Sequence, residues 1–193
     1  MTDIEFAKSK RMELPRILSL CPELENVNIL FHCLKNNYLK KMINPSRMGF
    51  IPKSCWLNEE ISIEDLRRDY FLKRKGSFRR FDYKLYNALQ ITKCYADTYE
   101  VIGVQWINKN IMKIDSRIFG SLLGIHFVQG GLFHKQGNLC RHKFVHIYKS
   151  QVMNMEDNHL CDDVDDHIVR LFYDELNRFS IDKDYVTIDD INV

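Results

Sequence analysis

Hydrophobic side chains recur at helical spacing over most of the chain, which predicts a mainly α protein with a small β component. The first amphipathic stretch begins at Pro22 and ends at Asn44-Pro45, because proline suits a first helical turn and cannot continue a helix. Its apolar positions are Leu24, Val27, Phe31, Leu34 and Tyr38. A loop then leads to a short helix that begins at Ser62, whose side chain can cap the first turn.

The next predicted helix has Ser77 as a candidate cap and carries a mixed basic and aromatic start. Its apolar stripe contains Phe78, Phe81, Leu85 and Leu89. Arg79, Arg80 and Lys84 lie largely off that stripe, so we expect the apolar face to dock and the cations to point outward.

Shorter elements follow. Val101 to Ile107 is predicted to be a strand, and a helix capped by Asp115 or Ser116 should end at Gly124. Residues 126–138 favour a further helix, although Gly130 and Gly131 weaken it. Clean alternation predicts a strand from Cys140 to Tyr148, and residues 164–176 have the spacing of an acidic helix.

The net charge of +2 conceals an uneven distribution of charge. Residues 67–150 contain 16 Lys and Arg against 5 Asp and Glu, whereas residues 151–193 contain 3 against 12. A basic middle of this kind indicates a polyanionic partner, and the acidic tail indicates protein contacts or electrostatic self-interaction.

Motifs for other kinds of chemistry are weak. No phosphate loop, nucleophile elbow, His-Glu-x-x-His helix or dinucleotide-binding fingerprint occurs, so we expect a protein that is not an enzyme and that needs no cofactor. Cys140, His142 and His146 would share a strand face, but zinc sites need a second ligand pair. We therefore predict no metal site. Six cysteines without a Cys-x-x-Cys pair indicate reduced thiols, and no apolar run is long enough for a membrane span.

The order of helices, strand, short helix, turn and basic strand is that of a winged helix-turn-helix domain. The segment from Phe78 to Ile125 also resembles the initiator-binding domain family of trichomonad transcription factors. The matching pieces are Arg79-Arg80-Phe81 with Lys84-Leu85, Ile102-Gly103-Val104-Gln105-Trp106, and Leu123-Gly124-Ile125. The resemblance implies binding to the initiator element at the start site of transcription. The family then continues with an Asn- and Leu-rich recognition helix that His126 to Lys135 do not match, so base-reading residues are not carried over.

A helix-turn-helix arrangement assigns roles to the polar residues of the basic middle. Arg79, Arg80 and Lys84 on one helix, with Lys113 and Arg117 around the next, would contact phosphates. His126, Gln129, Lys135 and Gln136 would face base edges in the major groove. Arg141, Lys143 and Lys149 would form a basic wing on the DNA backbone.

The sequence therefore predicts three parts. Residues 1–20 form an N-terminal segment, residues 21–150 a winged-helix DNA-binding domain, and residues 151–193 an acidic helical tail. We expect sequence-specific binding of double-stranded DNA in the nucleus, in promoter recognition and transcription regulation. The alternative is a protein-interaction module whose acidic tail binds the transcription machinery or a second copy; RNA binding is a third option, which the buried aromatic stripes disfavour.

Overall fold

The computed structural model describes residues 35–76, 80–125, 131–152, 158–178 and 180–182. The chain divides into two compact units, Met1–Asn37 and Tyr38–Val193. Residues 35–39 are helical, and the part of the first predicted helix up to residue 34 lies outside the described residues. The helix does not continue to Asn44-Pro45 as predicted, because Met42 and Ile43 form a strand. None of the helices in the described ranges has the length and apolar character needed to cross a membrane.

Helices and strands are interspersed along the second unit. The helices are α1 (Ile63–Leu66), α2 (Phe81–Cys94), α3 (Tyr99–Ile102), α4 (Ser116–Leu122) and α5 (Asn138–Arg141). The strands are β1 (Met42–Ile43), β2 (Ile61–Ser62), β3 (Val104–Trp106), β4 (Ile111–Asp115), β5 (Phe144–Ile147) and β6 (Val169–Asp174). A π turn, Arg67–Phe71, extends α1, and 3-10 turns occur at Lys53–Cys55, Ala96–Thr98, Lys149–Gln151 and Asn158–Cys161.

Two antiparallel sheets organise these elements. β1 pairs with β2, and the larger sheet has the strand order β3-β4-β6-β5. Met112 of β4 lies opposite Phe172 of β6, and Phe144 of β5 lies opposite Asp174. β6 therefore lies inside the sheet, with a hydrogen-bonded neighbour on each side.

The larger sheet separates two hydrophobic cores, because successive side chains along a strand point to opposite faces. Met112, Ile114 and Phe172 belong to the main core, which also contains the apolar side chains of α2. Ile111 and Leu171 belong to a smaller core with residues of the segment that follows β5.

Helix α2 is buried around its whole circumference from Asp82 to Thr92. Asn87 and Lys84, two of its buried polar side chains, are hydrogen-bonded inside the protein. Asn87 accepts a hydrogen bond from the Ile51 backbone N–H at 2.8 Å and donates to the Ile51 carbonyl at 2.9 Å and to the Tyr70 hydroxyl at 2.9 Å. This amide joins α2 to the chain before β2 and to the π turn after α1.

Several predicted elements are confirmed. Ser62 caps α1 by accepting a hydrogen bond from the Asp65 N–H, and Asp115 caps α4 by accepting from Arg117 and Ile118. Gly124 follows α4 with a φ of 64°, as a left-handed residue. Ser77, the candidate cap of α2, lies outside the described residues.

The predicted fold class, a mainly α winged helix-turn-helix domain with an acidic C-terminal helix, is wrong. The acidic helix is instead strand β6, because Asp166 has a φ of 58°, which interrupts a helix, and the alternating apolar residues after it pair on both sides. The four-stranded sheet makes β structure a principal part of the fold.

The elements expected of a helix-turn-helix and wing also differ. The predicted strand from Cys140 is helix α5 followed by β5, because Lys143 adopts a φ of 64° between them. The predicted strand from Val101 begins as helix α3 and changes direction at Gly103, whose φ is 77°. Residues 131–137 of the predicted recognition helix form turns, and residues 126–130 lie outside the described residues.

Candidate nucleic-acid interface

A cleft of about 650 Å³ opens at the start of α2. Four cationic side chains line it, together with two side-chain amides: Arg74, Arg80, Lys84, Arg141, Gln136 and Asn138. Its other described lining residues are apolar or glycine: Phe81, Leu123, Ile125, Gly76, Gly131 and Gly137. We call this site the basic cleft.

One wall of the basic cleft is the basic segment after the π turn. Lys84 is only 6% exposed, and its Nζ donates to the carbonyls of Phe71 at 2.8 Å and Lys73 at 2.6 Å. Arg74 donates from Nη2 to the Gly124 carbonyl at 2.9 Å, beside the end of α4. These bonds attach the segment to α2 and to the end of α4, and Lys84 places a positive charge beneath the cleft.

Arg80 precedes the first turn of α2 at the edge of the basic cleft. Its guanidinium pairs with the fully buried carboxylate of Asp82 at 2.9 Å and lies 5.0 Å from the centre of the Tyr83 ring. The Arg80 side chain remains 37% exposed, so it presents N–H donors to solvent while its position is held from inside.

The opposite wall is the turn of residues 131–137 and helix α5. The Gly137 N–H donates to the His134 carbonyl at 2.7 Å and closes this turn. α5 then carries the exposed Arg141, for which no ion pair occurs among the described residues. Arg178, in a buried pair with Asp174, donates to the His142 carbonyl and connects α5 to the end of β6.

The charges that line the basic cleft are of one sign. Among the lining residues that the structure describes, no side chain is a carboxylate. Arg68, which lies outside the cleft, is instead neutralised by Asp65 at 2.8 Å and Asp69 at 2.7 Å. The cleft therefore gathers several positive charges, of which Arg74 and Arg141 are exposed to a polyanion.

His142 lies directly behind this wall. Its ring centre is 5.2 Å from that of Phe81, which lines the cleft. Burial lowers the pKa of His142, and the neighbouring Arg178 and Arg80 guanidiniums lower it too, although the Asp82 carboxylate opposes them. The imidazole is thus kept neutral to lower pH than usual.

The structure brings together four of the predicted DNA-binding residues: Arg80, Lys84, Gln136 and Arg141. Lys135 is exposed beside Gln136 in the turn. Arg79, His126 and Gln129 lie outside the described residues. Lys84 differs from the prediction in its role, because its ammonium is buried and bonded to backbone carbonyls instead of pointing outward.

The remaining predicted cations, apart from those outside the described residues, do not line the cleft. Lys113 is buried on β4, where its Nζ pairs with Asp163 at 2.8 Å and donates to the Leu160 carbonyl at 2.9 Å. A phosphate contact is therefore not available to Lys113 in this fold. Arg117 and Lys143 are exposed, and Lys149 is half-buried with its Nζ 3.4 Å from the Asp162 carbonyl.

Two of the polar lining residues, Arg74 and Asn138, were not predicted as site residues from the sequence. Arg74 lies in the basic run Lys73-Arg74-Lys75, to which the sequence pattern assigned no role in binding. Its proximity to Arg141 depends on the bonds that Lys84 and Arg74 make, which no local pattern reports.

The candidate metal ligands do not share one strand face, because the predicted strand from Cys140 is a helix followed by β5. Cys140 is exposed in α5, and His146 is in β5 with its Nε2 3.3 Å from Asp166 Oδ1. Within the described ranges, no group of three His, Cys, Asp or Glu side chains is placed to hold a metal ion. Cys55, Cys94, Cys140 and Cys161 are free thiols.

Comparison with known proteins places the chain in a family. The model of the transcription-initiator DNA-binding domain, IBD, matches residues 55–161, more than half of the 193 residues. Neither the comparison with curated proteins nor that with solved structures gave a match. All described residues of the basic cleft fall within the matched range. The chain therefore belongs to the family of transcription-initiator DNA-binding domains, which bind DNA in transcription initiation.

Proposed function

We propose that the basic cleft and the exposed cations on its rims form the surface that binds the backbone of double-stranded DNA. The observation that carries this proposal is the convergence of Arg74, Arg80 and Arg141 in one cleft without a carboxylate among its described lining residues. Each phosphate neutralised by such a cation releases condensed counterions, which favours binding.

The rims extend the positive surface beyond the cleft. Lys73 and Lys75 flank Arg74, and Lys135 lies next to Gln136. Phosphate contacts position a protein on DNA without reading its sequence. The side-chain amides of Gln136 and Asn138 are the groups in the cleft with the donor and acceptor geometry for base edges, and we assign sequence recognition to them.

The biological role that this surface serves is promoter recognition at the initiator, in the nucleus, without a chemical step. This role extends the family's function in transcription initiation to a specific element. The expected consequence is a preference for a defined duplex, which selection of bound duplexes from a random pool would reveal. A pool without enrichment would contradict initiator recognition.

The experiment for the cleft compares two exposed arginines. Arg141→Ala should weaken binding to a short DNA duplex about tenfold, since a charged hydrogen bond contributes about 1.5 kcal/mol or more. Arg47→Ala is the matched control, because Arg47 is also exposed but does not line the cleft. Gel-shift titrations at one salt concentration measure both, and equal losses for the two variants would contradict the proposed site.

A further inference from the structure

The basic cleft is a recess, whereas the outer surface of a DNA duplex is convex. Its volume of about 650 Å³ lies within the range of pockets that enclose ligands of small-molecule size. The exposed cations of the cleft can contact the backbone of a duplex, which leaves the interior of the recess free for another group. A single nucleotide that leaves the base stack has the dimensions to enter it.

The floor of the recess has the chemistry that a nucleobase face requires. Phe81, Leu123 and Ile125 supply apolar surface, and the Phe81 ring is half-buried. The ring is supported from within the protein by Phe119 at 6.2 Å and His142 at 5.2 Å between ring centres. Unstacked bases are bound by proteins on aromatic side chains of this kind.

The rim has the chemistry that a base edge and a phosphate require. The side-chain amides of Gln136 and Asn138 have no hydrogen-bond partner among the residues that the structure describes. Arg141 lies one helical turn beyond Asn138. Amides can pair with the exposed edge of an unpaired base while the guanidinium holds its phosphate.

We propose that the basic cleft takes up one unpaired nucleotide of the bound DNA, with its base on the Phe81 floor and its edge at Gln136 and Asn138. This inference rests on the proposed function. Free energy is needed to unpair a base in an intact duplex, whereas a mismatched or bulged base is already unpaired. A duplex that carries such a base should therefore bind the protein more tightly.

The test compares a short duplex with the same duplex carrying one central unpaired base, in titrations at the same salt concentration. We expect the unpaired base to raise affinity about tenfold. Phe81→Leu should remove most of this preference, because the aromatic face that holds the base is lost. Phe133→Leu is the matched control, because Phe133 is a half-buried aromatic that does not line the cleft.

Asn138→Ala gives a second readout that does not depend on core packing, and it too should reduce the preference. Thermal unfolding of each variant checks that the fold is retained. Equal affinity for the two duplexes in the wild-type protein overturns this inference while leaving duplex binding intact. Failure to bind either duplex instead contradicts the proposed function.

Discussion

At the scale of single residues, the buried lysines show how positive charge is divided between structure and binding. Lys84 and Lys113 are 6% and 5% exposed, and both ammonium groups donate to backbone carbonyls. Their charge is satisfied inside the protein, so their principal role is to connect segments. The exposed Arg141 has no such internal partner among the described residues.

Replacement of Lys113 tests this division. Lys113→Met should lower the free energy of unfolding by about 1–3 kcal/mol, because the Leu160 carbonyl loses its donor and Asp163 loses its ion-pair partner. Chemical denaturation measures the loss. The folded variant should bind DNA with the affinity of the wild-type protein. A large decrease in that affinity would show that Lys113 contributes to DNA binding.

His142 should make stability depend on pH. Its pKa is lowered by folding, so the unfolded chain takes up the proton first as pH falls below the ordinary value of 6.5. Above pH 6.5 the neutral His142 makes its full contribution to the free energy of unfolding. This contribution is lost as pH falls from 6.5 through the lower pKa of His142 in the folded protein. Denaturation curves measured at a series of pH values should show that the free energy of unfolding falls less with decreasing pH in His142→Gln than in the wild-type protein. The same fall in both proteins would contradict the role of His142.

At the scale of elements, glycine conformation determines where helices and strands meet. Gly103 has a φ of 77° between α3 and β3, and a Cβ there would lie 2.5 Å from the Phe119 backbone nitrogen. Only glycine suits both the left-handed backbone and the close approach of α4.

Gly103→Ala should therefore destabilise the protein by about 2–4 kcal/mol, through backbone strain and displacement of α4. Thermal unfolding followed by circular dichroism measures the change. Gly49→Ala is a useful control, because Gly49 also has a positive φ but nothing within 4 Å of the added carbon. Equal losses for the two variants would show that the contact with α4 has no energetic effect.

Removal of the acidic tail should disrupt the fold, because the tail contains strand β6. A chain that ends before Val169 lacks the strand between β4 and β5, and with it Leu171 and Phe172 of the two cores. We expect such a chain to lose cooperative thermal unfolding, measured by circular dichroism. A cooperative transition close to that of the full chain would contradict the placement of β6.

At the scale of the whole molecule, the sequence predicted local elements better than their assembly. The caps at Ser62 and Asp115 and the end of α4 at Gly124 follow from neighbouring residues, and they were predicted correctly. β6 was missed because its apolar residues also fit helical spacing. Lys143 and Asp166 have left-handed conformations just before β5 and β6, and these conformations, which determine where the two strands begin, depend on tertiary contacts.

The candidate site was predicted in the same partial way. Arg80, Gln136 and Arg141 were identified from charge and polarity, and the resemblance indicated the family that the IBD match establishes. The recess could not be anticipated, because it depends on the burial of Lys84 and on the turn of residues 131–137. Those contacts join segments far apart in sequence.

The salt dependence of DNA binding tests the central claim most directly. Each phosphate contact contributes about 0.9 to the slope of log affinity against log salt concentration. Arg74→Gln combined with Arg141→Gln should reduce the slope for a DNA duplex by about 2, whereas Arg47→Gln should leave it unchanged. A slope that is the same for the wild-type protein and the double variant would contradict binding through the basic cleft.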